Sequence, residues 1–299
     1  MRALVYENPY EMPLREIEAP VAGPDDVIVT VQAAGVCGSD VHGFTGRTGR
    51  RMPGIVMGHE FTGIVSDTGR NVADYAPGDR VVVQPLTTCG TCEMCRAGQP
   101  NVCVSRTMIG MHTHGAYAEA VRVPVRQLYR LPDNVSWDTG AMVEPLAVAL
   151  HAVNRTPFNL MDTVVVVGAG TIGLLTLLAA RIKGAGRVIV TDLSPHRLEL
   201  ARSLGADVVV NIAQQDALAA VHDVTNGKGA DAAIEAVGMS ATVQQALAVT
   251  RIGGHITWIG NSAPEVTLNM QQVVTREITI HGTYGFNQEF GLAIEALRL

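Results

Sequence analysis

Four cysteines crowd one short stretch of the chain, as Cys89-x2-Cys92-x2-Cys95-x7-Cys103, among glycines and threonines. Thiolates at that spacing can wrap one tetrahedral Zn²⁺, with Zn–S bonds of about 2.3 Å. Four sulfurs close the coordination shell and leave no position for a substrate, so an ion there is structural. An iron–sulfur cluster is the rival occupant, because closely spaced cysteines hold those as well. A fifth cysteine, Cys37, stands apart. An odd count with four members clustered points to metal rather than to a disulfide framework.

A second chemistry lies in Gly168-Ala169-Gly170-Thr171-Ile172-Gly173, which directly follows the β-branched run Val164–Val167. This is a G-x-G-x-x-G pattern between a strand and a helix. Gly168 permits the tight turn, Gly170 lets the backbone approach a diphosphate, and Gly173 lets helix and strand pack closely. Thr171 and Ile172 open the helix, whose unpaired N–H groups would face the diphosphate. Asp192 follows about 20 residues on, where a carboxylate binds the ribose 2′-hydroxyl and repels a 2′-phosphate. The expected cofactor is therefore NAD rather than NADP, although Arg197 could accept a phosphate. The plainer alternative is that the glycines only turn the chain and Asp192 only caps the next helix.

A third group is scattered: Gly35-Val36-Cys37-Gly38-Ser39-Asp40-Val41-His42, then Gly58-His59-Glu60, then Val143-Glu144-Pro145. Each fragment alone is ambiguous, since a single Cys is usually core and a single His-Glu pair usually satisfied locally. Spacing does not show that they meet. Arg47, Arg50 and Arg51 read as a solvated basic loop, with a phosphate partner as the alternative. His112, His114, His151, His222 and His255 receive no role.

These residues need two scaffolds. Up to about residue 145 the chain reads as short strands divided by Gly and Pro, with Val27–Val31, Ile64–Val65 and Arg80–Val83 the clearest. Beyond it a helix over Leu146–His151 leads into alternating units. Strands are expected at Thr163–Val167, Arg187–Thr191, Val208–Asn211, Ala232–Ala236, His255–Ile259 and Glu277–His281. Helices are expected at Thr171–Lys183 and Pro195–Leu204. Such alternation predicts a parallel sheet covered by helices.

The 299 residues suffice for two domains, and 47% hydrophobic with 17% charged residues is ordinary globular composition. A net charge of −6 and the lack of a basic helix argue against nucleic acid and against a zinc-finger reading of the cysteines. The uncharged run Thr163–Ala180 is long enough to span a bilayer, but it reads as strand, turn and helix. The start of the chain lacks the continuous apolar region of a signal peptide. A cytoplasmic protein is expected, with no membrane partner.

In combination, Cys37-Gly-Ser39-Asp-Val-His42, Gly58-His59-Glu60, the Cys89–Cys103 loop, Glu144-Pro145-Leu146, Gly168–Gly173 and Asp192 resemble the zinc-containing medium-chain dehydrogenases. The likeness is to the polyol branch: sorbitol, galactitol-phosphate, butanediol and threonine dehydrogenases. The resemblance covers nearly the whole chain in order. It implies an α/β architecture, a GroES-like mostly-β catalytic domain over 1–148 and a Rossmann doubly wound domain over 149–285. Residues 286–299 would begin a segment that in relatives returns to the catalytic domain and continues beyond Leu299.

The resemblance also implies two zinc ions. Cys37 and His59 would hold the catalytic one, with Glu60 direct or through water. Glu144 stands where the alcohol dehydrogenase branch has a further cysteine, and would ligate the same ion or hold its bound water. Cys89, Cys92, Cys95 and Cys103 would hold the structural ion. The implied reaction is hydride transfer from an alcohol or polyol to NAD, with zinc acidifying the hydroxyl. Ser39 would take the proton and pass it through the cofactor ribose to His42 and solvent. A homodimer or homotetramer would form through the edge of the cofactor domain, near Trp258 or Tyr284. A non-catalytic or truncated NAD- and zinc-binding protein of the same fold is the alternative.

Overall fold

The computed structural model describes residues 1–47 and 49–299, which divide into two compact units. One comprises Met1–Glu144 with Phe290–Leu299, the other Pro145–Glu289. The division falls just ahead of the expected boundary after residue 148. The helix expected over Leu146–His151 is longer, Val143–Arg155, and holds Glu144 in its first turn.

The first unit is built on antiparallel β-structure. Five strands lie in the order Leu128–Arg130, Arg80–Val83, Phe61–Thr68, Asp26–Ala34, Ala120–Pro124. Alternation explains the core: Val27, Val29, Phe61, Val65, Val81, Val83, Val121 and Val123 turn the same way and are buried together. A smaller sheet pairs Arg2–Tyr6 with Leu14–Glu16 and with Ile55–Val56. The ladder Leu86–Thr87 with Thr107–Met108 ties off the base of the cysteine loop. Phe290 belongs to this unit, buried with its ring 5.0 Å from that of Tyr129.

The second unit is a six-stranded parallel sheet. Its strands run Val208–Asn211, Arg187–Asp192, Thr163–Val167, Ala230–Glu235, Thr250–Trp258, Thr279–Gly282. Counted along the chain that order is 3-2-1-4-5-6, which reverses beside Thr163–Val167 and leaves a crevice at the carboxyl ends of the first and fourth strands. Every residue of Thr163–Val167 is buried, as a central parallel strand covered on both faces must be. The last strand starts at Thr279, not at the expected Glu277. Glu277 has φ +49°, a left-handed conformation that no strand accommodates. No helix among the described residues is long and apolar enough to cross a membrane, and the run Thr163–Ala180 does split into strand, turn and helix.

Gly173 shows how tightly the turn is built. A Cβ there would overlap the carbonyl oxygen of Gly168, which is backbone and has nowhere to go. Glu289 closes the same unit from another side. Its carboxylate takes hydrogen bonds from Asn154 Nδ2 at 3.2 Å and the Asn287 N–H at 2.7 Å, and lies 3.0 Å from His151 Nδ1. Burial alone would raise its pKa, but the contacts with His151, Asn287 and Asn154 win and hold it down to about 2.

Two outcomes follow. Gly173→Ala should cost about 1–3 kcal/mol through overpacking and lower Tm by several degrees in a thermal scan; an unchanged Tm would show that the turn relaxes. For Glu289→Gln the sign follows from a depressed carboxyl. Its stabilisation is present above the ordinary value of 4.5 and is lost as pH falls through about 2. The stability gap between wild type and variant should therefore be full at neutral pH and shrink steadily below pH 4.5. A gap that stays constant on acidification would contradict this.

Candidate functional site

The Asp26–Ala34 and Phe61–Thr68 ladder sets up the first cluster. Its last pair is Ala34 with Phe61, and the chain continues with Gly35 N–H donating to the Glu60 carbonyl at 2.7 Å. The segment leading to Cys37 is thereby laid against His59 and Glu60. Gly35 is required at this approach, because a Cβ would overlap Glu60 Oε2. Cys37 then caps the helix Gly38–Phe44, its Sγ accepting the Ser39 N–H at 3.4 Å.

As a result one ligand atom from each of Cys37, His59 and Glu60 lies within 4.8 Å of the others. Ligands on one tetrahedral zinc, at about 2.0–2.3 Å each, must lie about 3.3–3.8 Å apart, so the set fits such an ion with small adjustments. Thiolate, imidazole and carboxylate are also the donor types zinc prefers. His59 and Glu60 are buried, Cys37 partly so. Glu144 is buried too and is felt electrostatically by His59, but it does not join the set within 4.8 Å.

The charges around His59 support a cation. Burial alone would lower its pKa, yet Asp40, Cys37 and Glu144 push it well above the ordinary value. Burial raises the Glu60 carboxyl and pushes Glu144 up to about 7. A thiol and several carboxylates around one buried imidazole demand positive charge, which a divalent ion supplies as well as a proton does.

Asp40, Arg51 and Tyr117 complete the surroundings; Asp40 and Tyr117 were given no role from the sequence, and Arg51 was given a different one. Asp40 Oδ2 lies 3.4 Å from His59 Nδ1, an electrostatic contact longer than a normal hydrogen bond, which leaves Nε2 as the nitrogen for a metal. Arg51 is buried on Asp40, contrary to its reading as part of a solvated loop. The only sequence signal was Asp40's place inside the Cys37–His42 motif.

Ser39 and His42 lie three residues apart on the helix Gly38–Phe44, hence on one face, and both are half-buried.

The second cluster draws Cys89, Cys92, Cys95 and Cys103 together, with all four sulfurs within 4.8 Å of one another. Cys89 and Cys103 sulfurs are 3.5 Å apart and Cys89 and Cys95 sulfurs 4.0 Å, far beyond a disulfide bond. A four-iron, four-sulfide cluster, with one thiolate on each iron, would spread the cysteine sulfurs more widely. Backbone N–H groups of Cys89, Cys92 and Cys95 point at the sulfurs of Cys103, Cys89 and Cys92, at 3.3–3.5 Å. Such donors favour thiolate: those of Thr91 and Cys92 draw the Cys89 thiol down to about 6. Cys92 is lowered likewise, whereas burial and neighbouring thiols raise Cys95. The set fits a four-sulfur zinc.

The third element is the turn Gly168–Gly173 in the second unit. Gly170 is the N-cap of Thr171–Lys183 and offers no side chain to the helix's first N–H groups. A Cβ on Gly170 would meet only open space, so a diphosphate can come close. Asp192 ends the neighbouring strand, and its carboxylate accepts the Ala169 N–H at 2.7 Å and the Ser194 N–H at 2.8 Å. Capping of the next helix falls to Ser194 rather than Asp192, which bears on the plainer reading given above. Arg197 is exposed in the first turn of that helix.

Comparison with known proteins matches this arrangement. Residues 23–133 match the alcohol dehydrogenase GroES-like domain family, and residues 171–298 the zinc-binding dehydrogenase family. The chain is 36% identical over 302 residues to a sorbitol dehydrogenase of Bacillus subtilis (strain 168), covering 99% of this chain and 86% of that protein. It is 38% identical over 288 residues to an L-idonate 5-dehydrogenase of Vitis vinifera, covering 93% and 78%. A provisionally named zinc-binding dehydrogenase from Sinorhizobium meliloti 1021, solved bound to NADP, superposes with a TM-score of 0.92 at 33% identity, covering 99% and 87%. The chain belongs to the zinc-dependent medium-chain alcohol dehydrogenase family, in its polyol branch.

Proposed function

We propose that this protein oxidises a secondary alcohol or a polyol, or reduces the corresponding ketone, by hydride transfer to NAD with a zinc ion at Cys37, His59 and Glu60. The observation that carries the reading is the convergence of those three ligand atoms within 4.8 Å, from chain positions that only the fold brings together. Sorbitol and L-idonate dehydrogenases among the relatives support a polyol as the substrate class.

Zinc, when bound, supplies the Lewis acidity that lets an alcohol lose its proton near neutral pH. Cys37 and His59 would hold the ion, with Glu60 joining them directly or through water. Glu144, buried nearby, would join the ligands or hold a water among them. Ser39 accepts the substrate hydroxyl proton. From Ser39 the proton would leave by way of His42, one turn further along the same helix face, which would release it to solvent. The N–H groups around Gly168, Gly170, Thr171, Ile172 and Gly173 receive the diphosphate. Asp192 accepts from the ribose hydroxyls and disfavours a 2′-phosphate, which supports NAD over NADP in spite of the NADP-bound neighbour. Arg197, exposed in the first turn of the helix after Asp192, is the nearby cation that could receive a phosphate instead.

Cys89, Cys92, Cys95 and Cys103 hold a second, structural zinc. The catalytic zinc domain spans 1–148, the dinucleotide domain 149–285, and 286–299 returns to the catalytic domain, a reading that the grouping of Phe290–Leu299 with Met1–Glu144 supports. The outer strand Thr279–Gly282 leaves a sheet edge on which a homodimer or homotetramer can form. The place of action is the cytoplasm.

NADH formation across a panel of polyols, diols, L-threonine and sugar-alcohol phosphates should reveal one favoured class, and Cys37→Ser should abolish that rate without weakening NAD binding. Full activity in Cys37→Ser would sink the catalytic-zinc assignment. Asp192→Ala should lower the NAD-to-NADP preference by about tenfold or more, a change of about 1.4 kcal/mol; an unchanged ratio would remove its role. Metal analysis should find two zinc ions per chain, and Cys103→Ala should lose one and open the Cys89–Cys103 loop to protease. Visible charge-transfer absorption from iron would overturn the four-sulfur zinc.

A further inference from the structure

The basic run Arg47, Arg50, Arg51 is split by the fold. Arg47 and Arg50 are exposed, whereas the Arg51 side chain is only 2% accessible. Its Nη2 donates to Asp40 Oδ1 at 2.9 Å, and the Asp40 side chain is equally closed off. The other carboxylate oxygen, Oδ2, receives the Tyr117 hydroxyl at 2.9 Å and faces His59 Nδ1 at 3.4 Å.

The path of Arg51 is prepared in the sequence. Its side chain crosses the helix Gly38–Phe44 at Gly43, where a Cβ would stand 2.6 Å from Arg51 Cγ. A buried ion pair is at best about neutral against apolar side chains of the same volume, so packing alone does not call for one here. What the pair adds is direction. A carboxylate gripped through one oxygen by a guanidinium and through the other by a phenol cannot swing, and the edge it turns to His59 is fixed.

We infer that Arg51 is a positioning residue for the metal centre: with Tyr117 it locks Asp40, and Asp40 sets the orientation of the His59 ring toward the ion. The inference rests on the reading of Cys37, His59 and Glu60 as a zinc site. Gly43 is part of the device, since it gives Arg51 its passage. Lysine is a poor substitute, because it keeps the charge but not the length and planar shape of the guanidinium.

The test uses the full, zinc-loaded chain and follows release of each ion to a chromophoric chelator, with the four-cysteine ion as internal reference. Arg51→Gln, one step beyond the Asp40 partner of the histidine, should speed release from the Cys37 site by up to about 10-fold, the low end of what losing a ligating histidine's own partner costs. The four-cysteine ion should leave at the wild-type rate. Arg51→Lys should fall between, and Gly43→Ala should move in the same direction as Arg51→Gln. With Co²⁺ in the Cys37 site, the visible spectrum of Arg51→Gln should shift, a change that a purely structural role would not produce. Wild-type release and an unaltered Co²⁺ spectrum in Arg51→Gln would overturn the inference. Should that variant fail to fold, Tyr117→Phe and Arg51→Lys decide: faster release in both supports the role, wild-type release in both refutes it. A wild-type protein that holds only the four-cysteine ion would instead refute the zinc reading itself, and the two failures are thus told apart.

Discussion

The pairing of Asp26–Ala34 with Phe61–Thr68 is the constraint on which the first unit turns. It joins the two most heavily paired strands of that sheet, and both chain segments that bring the candidate ligands leave from its same end. Because Ala34 opposes Phe61, the next residues on either side, Gly35 and Glu60, must also meet. Their backbone bond at 2.7 Å extends the ladder just past its last named pair. A slip of one residue would turn every side chain to the opposite face of the sheet. Apolar alternation on the Val27, Val29, Phe61 and Val65 side opposes such a slip, so the register that buries the core also sets the site.

At that end the packing problem changes character. Asp40, Arg51, His59, Glu60 and Glu144 are all buried within one small unit, where unpaired charges are costly. The arrangement is tolerable because nearly every group has a partner of opposite sign or a hydrogen bond. Asp40 illustrates the balance: burial would raise its carboxyl, but His59 and Arg51 draw it below the usual range. Tyr117 is pushed strongly upward by burial and by Asp40, so it remains a hydroxyl and a donor. What is left over is a thiol and the carboxyls of Glu60 and Glu144 around one imidazole, a set of donor types that suits a cation.

Local signals were legible in the sequence and distant ones were not. The cysteine spacing and the glycine turn are short-range patterns, and the structure gathers the four sulfurs and places the turn between strand and helix as the spacing predicts. The first three parallel strands were visible because Thr163–Val167, Arg187–Asp192 and Val208–Asn211 each carry a nearly continuous apolar run. Strand ends were less so: Glu277 looked like the start of a strand, but its left-handed backbone follows from the turn after Met270–Thr275. The convergence of Cys37 with His59 and Glu60 depends on sheet register, which no local window contains; only the family resemblance anticipated it. Arg51 was misjudged for the same reason, since nothing in a run of arginines tells which one finds a buried carboxylate. Asp192 was read correctly as to position, yet only coordinates show that Ser194 takes over the capping of the next helix.

The cysteine loop differs from everything around it in how it can come to exist. Between Cys89 and Cys103 only Asn101 and Cys103 are buried, so the loop has almost no apolar surface with which to drive its own ordering. Hydrophobic collapse can assemble the sheet on either side and pair Leu86–Thr87 with Thr107–Met108, but it stops there. If the proposed zinc is what orders it, completion of this part of the molecule is a matter of supply rather than of sequence. Without that ion a newly made chain would carry four closely spaced thiols, one of them readily ionised, and would be open to oxidation at the very place where the ion would tie it.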